Sequence, residues 1–295
     1  MNACLVAFFG PTRLRTCMEE MWGKLSDDVR EQLIALAKLD AKTSGVELPA
    51  NITVDARLAS TYMFSFQQPR GVPQSPNVIY NAYPNPDCQQ RDAHEFLLDL
   101  HEGAPELFEH LTTLVESSLH CSRCGASRVS ALERHSVLSI DIQDPAGASY
   151  TLQEGLDAWL QSERAAADYR WLCPDLRCGS TAAPMNHHTI RLAAPVLALH
   201  LKRWPRDPRD GLIASVVEPP QTLAFADLTY CLRSFILHRG STVKGGHYVA
   251  VMHQRCGSKS EWWYYNDALR RAAIASDLST SQEWKSYICF YEQQT

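Results

Sequence analysis

A histidine preceded by two glycines and followed by a tyrosine, Gly245-Gly246-His247-Tyr248, heads an apolar run that reaches Met252. After a polar loop from His253 to Glu261 comes a second run, Trp262-Trp263-Tyr264-Tyr265-Asn266-Asp267. An imidazole whose second nitrogen is held by a side-chain acceptor has a fixed tautomer and orientation, which is what a general base serving a thiol needs. If the two runs pair as an antiparallel hairpin, the start of the first lies beside the end of the second, and His247 meets Asn266 or Asp267. Register decides which of the two it is, because a one-residue slip exchanges them. The glycines let a substrate backbone approach closely. The alternative for His247 is a structural histidine near a strand end.

Four of the ten cysteines fall in two close pairs, Cys121-Ser122-Arg123-Cys124-Gly125 and Cys173-Pro174-Asp175-Leu176-Arg177-Cys178-Gly179. Four thiolates fill a tetrahedral structural zinc site and leave no open position for catalysis. The glycine after each pair suits a tight turn, and the alternative is four free buried thiols. His187 and His188 lie nine or more residues past Cys178, so four cysteines are the preferred ligand set. The other six cysteines show no disulfide rhythm, which together with the absence of a secretory signal predicts a reducing compartment, cytoplasmic or nuclear.

Several elements must position these groups. With 45% hydrophobic and 21% charged residues, the 295-residue chain has the composition of a globular protein. Its net charge of −5 argues against a phosphate-backbone binder, although a zinc-ribbon nucleic-acid module remains a remote alternative. No apolar stretch approaches the ~20 residues that cross a bilayer as a helix, so a soluble chain with no membrane partner is expected. Residues 1–9 read as a buried helix, and Met18, Met21, Trp22, Leu25, Val29, Leu33, Leu36 and Leu39 repeat an apolar helical face. The prolines of residues 67–88 predict a loop. Asp92 starts a helix, with Glu95 three residues later as its capping-box partner. A second helix is predicted over Leu152 to Glu163. Strands are predicted at Val137 to Ile142, Ile190 to Leu192, Val196 to Leu201, Leu232 to Leu237, Tyr248 to Met252, Trp262 to Tyr265 and Tyr287 to Tyr291. Helices first and strands later make the fold α+β.

In order along the chain, Gln90-Arg91-Asp92-Ala93-His94-Glu95-Phe96-Leu97, the two cysteine pairs, Leu199-His200-Leu201-Lys202-Arg203-Trp204, the His247 segment and the closing Ser286-Tyr287-Ile288-Cys289-Phe290-Tyr291 resemble the motifs of ubiquitin-specific proteases. The resemblance implies one papain-like hand over 1–295: a helical thumb to about 118, zinc-tipped β fingers over about 119–190, and a β-rich palm over about 191–295. It also implies ubiquitin as partner and hydrolysis of the bond after its C-terminal glycine. By motif position His247 is similar to the general base and Asn266, with Asp267 next to it, to the orienting residue. Asp92 matches the position that holds the basic tail of ubiquitin, with Gly245, Gly246 and Tyr248 also on the substrate side; as a helix cap Asp92 is explained equally well. For Lys202-Arg203 a structural role is favoured.

One departure is large. The family's nucleophile segment reads Gly-Asn-Thr-Cys-Tyr-Met-Asn-Ala, and Met1-Asn2-Ala3 matches only its end. Val6 and Arg91 also stand where the family carries Gln. Cys4 lies five residues beyond the nucleophile position, about 140° round a helix, and would point into the core; Cys17 is no better placed. The chain as written is therefore expected not to perform the reaction. Either the native protein starts earlier, or the chain is a pseudoprotease that binds ubiquitin without cutting it.

Overall fold

The structure, a computed structural model, describes residues 7, 11–14, 92–103, 105–142, 151–160, 163–164, 171–204, 213, 215–242, 245–256, 259–266, 269–281 and 283–294. The helical face from Met18 to Leu39, the loop of 67–88 and all of the first nine residues except Ala7 lie outside these residues.

Asp92 begins the first helix, α1 (Ala93–Gly103), as the sequence predicts. Its Oδ1 accepts the N–H groups of His94 at 2.8 Å and Glu95 at 3.1 Å, two donors that a helix start leaves without intrahelical partners. A 3₁₀ turn, Pro105–Leu111, leads into β1 (Thr113–His120), β2 (Ser127–His135) and β3 (Leu138–Asp141). Helix α2 (Leu152–Leu160) follows, then β4 (Glu163–Arg164), β5 (Met185–Leu192), β6 (Val196–Lys202) and β7 (Thr222–Phe225). The last part is β8 (Leu228–Thr242), β9 (Gly245–Cys256), β10 (Lys259–Asn266), β11 (Leu269–Ala272) and β12 (Lys285–Gln293).

Two sheets result, one of four strands in the order β2-β1-β5-β4 and one of eight in the order β11-β10-β9-β8-β12-β6-β3, with β7 added beside β8. Every pairing is antiparallel except β3 with β6. The chain visits the small sheet, crosses to the large one for β3, and returns. β1 spans the expected 118/119 boundary, and β3 and α2 belong with the large sheet.

Period-two alternation explains why the large sheet has two cores. In β9, Tyr248, Ala250 and Met252 face the α1 side, where they join Phe96, Leu97 and Phe108. Val249 and Val251 face the other side with Leu197, Leu199, Phe235 and Tyr291. A strand covered on both faces has no polar side to show, so β6 and β12 carry apolar residues on both faces, over Val196 to Leu199 and Tyr287 to Tyr291.

Three expectations are corrected. The second helix stops at Leu160 and Glu163 opens β4, so the polar end of that segment forms an edge strand instead of completing a third helical turn. The polar loop expected from His253 to Glu261 is strand over 253–256 and 259–261. β9 and β10 pair to Cys256↔Lys259, with His253 opposite Trp262, because ladder hydrogen bonds compensate for side chains that prefer turns. β1 and β2 were not predicted, since the buried side of β1 is Thr113, Val115, Ser117 and Leu119, half of it hydroxyls.

Arg203 holds the end of β6. It is 1% exposed, and burial lowers its pKa to about 10, which leaves it charged near neutrality. Its partners are carbonyls and one hydroxyl: Nε donates to Ser286 O at 3.0 Å, Nη1 to Ser215 O at 2.5 Å and Ile213 O at 3.4 Å, and Nη2 to Ser286 Oγ at 3.3 Å. The guanidinium thus clamps Ile213 and Ser215 to β12, the structural role favoured from sequence. Arg203→Met keeps the apolar stem and orphans these buried acceptors, each of which costs about 1–3 kcal/mol. We expect a loss of roughly 3 kcal/mol in urea unfolding. An unchanged midpoint would show that the clamp carries no stability.

Candidate active site

His247 sits third in β9 and opposite Arg239 of β8. Asn266 closes β10, whose register with β9 runs through Tyr265↔Ala250. That register puts Tyr264, Asn266 and Arg271 on the same face as His247, Val249 and Val251. His247 Nε2 lies 2.6 Å from Asn266 Oδ1. An amide oxygen only accepts, so Nε2 carries the proton and the neutral ring has its lone pair on Nδ1. The hairpin that sequence left open between two neighbours thus brings Asn266 to the ring; Asp267 lies outside the described residues. On the other side Trp284 meets the imidazole edge-on, with centroids 6.2 Å apart. Arg239 covers Trp284 at 5.0 Å and pairs with Glu283 at 3.0 Å.

Beneath this surface lies a buried polar cluster. Asp92 is 4% exposed, and while Oδ1 caps α1, Oδ2 accepts the hydroxyls of Tyr287 at 2.5 Å and Tyr248 at 3.2 Å. A carboxylate has about four acceptor positions, and all four are used. His238 of β8 stacks obliquely on Tyr248, with centroids 4.6 Å apart, and its Nε2 has no hydrogen-bond partner among the described residues. That nitrogen and the Arg239 carbonyl fill the place where a Cβ on Gly246 would go. With φ at +154°, Gly246 is required by its own fold as well as by any substrate. Beside α1, His200 stacks face to face on His94 at 3.9 Å and shares a 3.1 Å hydrogen bond with Ser139 through Nδ1.

At the far end of the small sheet the four paired cysteines converge. Their sulfurs all lie within 4.8 Å of one another, with Cys121–Cys178 at 3.9 Å and Cys124–Cys173 at 3.5 Å. The two knuckles repeat one backbone plan. Gly125 N–H bonds to Cys121 O at 2.9 Å and Gly179 N–H to Asp175 O at 3.2 Å, with φ of +76° and +56° at the two glycines. The N–H groups of Arg123 and Cys124 lower the Cys121 thiol to about 6, whereas burial pushes Cys173 up to about 12. Thiols this close cannot all ionise without a cation among them, so the group could hold a metal ion. His188 is engaged elsewhere on β5, by Ser117 and Asn186, and His187 packs on His120.

Trp284, Tyr264, His238 and Tyr287 were not singled out from sequence. For Tyr264 a signal existed, since it stands two residues before Asn266 and so shares its face of a strand.

The family model described as ubiquitin carboxyl-terminal hydrolase matches residues 1–291. Among curated relatives, ubiquitin carboxyl-terminal hydrolase 26 of Oryza sativa subsp. japonica is 28% identical over 204 residues, 60% of this chain and 18% of that protein. Ubiquitin carboxyl-terminal hydrolase 17-like protein 10 of Homo sapiens is 26% identical over 235 residues, 70% of this chain and 42% of its own length. The chain thus spans less than half of each of these relatives. Among solved structures, the SAGA Ubp8/Sgf11/Sus1/Sgf73 DUB module bound to ubiquitin aldehyde shares the fold with a TM-score of 0.60 at 19% identity, covering 85% of this chain and 56% of that one.

Burial holds the His238 pKa down at about 4 and that of His200 at about 2, against about 6.5 in an unfolded chain. Below pH 6.5 the unfolded state binds the extra protons, so the stability from both rings is complete above that pH and is lost as pH falls, towards about 4 for His238 and on towards about 2 for His200. Each contributes a slope of up to roughly 1.4 kcal/mol per pH unit. We expect urea midpoints to fall from pH 7 to pH 4.5 and His238→Gln to flatten that fall; a variant with the wild-type slope would exclude His238 as a contributor.

Proposed function

The chain belongs to the ubiquitin carboxyl-terminal hydrolase family, and on that premise we propose that it forms the base-and-orienter half and the ubiquitin-holding surfaces of a cysteine deubiquitinase. The reaction is hydrolysis of the bond after the C-terminal glycine of ubiquitin. The observation that supports this reading is the 2.6 Å contact between His247 Nε2 and Asn266 Oδ1. With the Nε2 proton on the amide, Nδ1 takes a proton from a thiol and later returns one to the leaving amine. Asn266 fixes the ring for both transfers.

A second reading, ubiquitin binding without cleavage, is favoured by the settings of six cysteines. Four are in the knuckles. Cys289 is fully buried in β12, its thiol pushed up to about 12 by burial. Cys231 stands eight residues before Arg239 in β8, about 26 Å away at strand rise. None of these six has the exposure and helix-start setting that a reactive thiolate needs.

Ubiquitin carrying a fluorogenic amide at its C-terminus separates the readings when binding and release are both measured on the 295-residue chain. Release that falls roughly 10²–10⁴-fold in His247→Ala supports the enzyme. Binding without release assigns the chain to the second reading, and no binding sinks both.

The metal is zinc in this proposal. A tetrahedral zinc with sulfurs at about 2.3 Å sets them about 3.8 Å apart, and the 3.5 Å and 3.9 Å contacts bracket that spacing. A closed four-thiolate site supplies structure and no chemistry, and reduced thiols suit the cytosol or nucleus. Ubiquitin is held across the two sheets, with Asp92, Gly245, Gly246 and Tyr248 along the path of its tail. We expect about one zinc per chain. Cys173→Ser should lose it and expose the amides of β1, β2 and β5 to hydrogen exchange, with β8, β9 and β12 still protected; metal-free protein with wild-type exchange would rule zinc out.

A further inference from the structure

We propose that Tyr264, fixed from behind by Arg271 and Asp277, is a positioning residue for the Asn266 carboxamide, and through it for His247. The inference rests on the base-and-orienter reading above and extends it to groups outside that pair. The terminal torsion of an asparagine is broad, so one hydrogen bond to an imidazole does not define the plane of the amide. A second anchor does. Asn266 Nδ2 donates to the Tyr264 hydroxyl oxygen at 3.4 Å, from two residues along the same face of β10. A bond that long holds a group only if its acceptor cannot move, and the phenol is held on several sides.

Tyr264 is 9% exposed. Arg271, its cross-strand neighbour in β11, lays its guanidinium carbon 4.2 Å from the ring centroid. Asp277 grips that guanidinium with both oxygens, at 2.5 Å and 2.8 Å, and its Oδ2 also accepts the Ile274 N–H at 2.7 Å. The contacts therefore run from the 3₁₀ turn at Ala275–Asp277 through Arg271, Tyr264 and Asn266 to the imidazole. If the carboxamide swung out of that plane, Nε2 would lose its acceptor and the ring proton would be free to sit on Nδ1, where it leaves no lone pair for a thiol's proton.

The test is side-chain ¹⁵N NMR of His247 in the zinc-loaded 295-residue chain at a pH where the ring is neutral. Wild type should show protonated Nε2 and bare Nδ1, and Asn266→Ala should lose that preference. Tyr264→Phe keeps the ring and its stack but removes the oxygen. It should shift the tautomer ratio roughly five-fold towards protonated Nδ1, the size of one net hydrogen bond, with the melting temperature unchanged. Arg271→Ala, at a half-exposed site, should move the ratio the same way. A Tyr264→Phe spectrum that superimposes on wild type while Asn266→Ala differs would overturn the positioning role and leave the base-and-orienter reading standing. An Asn266→Ala spectrum that matches wild type would overturn both.

Discussion

The Asp92 carboxylate joins elements that otherwise have little reason to meet. One oxygen completes the start of α1, and the other takes hydroxyl protons from Tyr248 in β9 and Tyr287 in β12. Each bond to a charged acceptor in a site closed to water is strong, and each donor would be costly to leave unpaired. Helix and sheet are therefore locked in one relation, with β9 fixed one residue past His247. The apolar contacts of Phe96, Leu97 and Phe108 on the same face supply attraction, but such packing tolerates sliding. The four-acceptor geometry of Asp92 does not.

This arrangement shows what sequence could and could not display. Asp92 as a cap was legible because capping depends on neighbours two and three residues away. The tyrosines it also binds lie 156 and 195 residues later, and nothing local marks them. His247 and Asn266 were legible as a pair because a hairpin is a local structure, but the choice between Asn266 and Asp267 needed a register that sequence leaves free. The cysteine knuckles were legible for the same local reason, and their glycines adopt the positive φ that the turns require. β1 escaped notice because Thr113 and Ser117 occupy inward positions where a hydrophobic residue would have signalled a strand.

The two sheets face different energetic problems. The eight-stranded sheet is covered on both sides over β6, β8, β9 and β12, so its strands need no further support. The four-stranded sheet has a small apolar cluster of its own at its tip, made of Leu119, Trp171, Cys121 and Cys173 with Ala126 and Cys178 packed against it. Its outer strand leaves Val129 and Leu132 more than half exposed. So little burial does not fix a long two-knuckle tip, and a metal ion held by the four cysteines would supply the missing cross-link by joining β1, the turn after it and the segment before β5.

The saturation of Asp92 bears on how a substrate tail could pass it. A carboxylate with two amide donors and two phenol donors has no acceptor position left for a basic side chain. The helix-capping bonds are backbone-fixed, so a cationic group reaching Asp92 would have to displace Tyr248 or Tyr287. Tyr248 is the weaker of the two, at 3.2 Å against 2.5 Å, and it directly follows His247 in β9. Its ring already lies against His238, with centroids 4.6 Å apart, so any movement of Tyr248 is felt in β8 as well as in β9. If a basic tail is recognised at the helix cap, that recognition and the setting of the histidine strand are coupled through Tyr248, which binds Asp92 and directly follows His247.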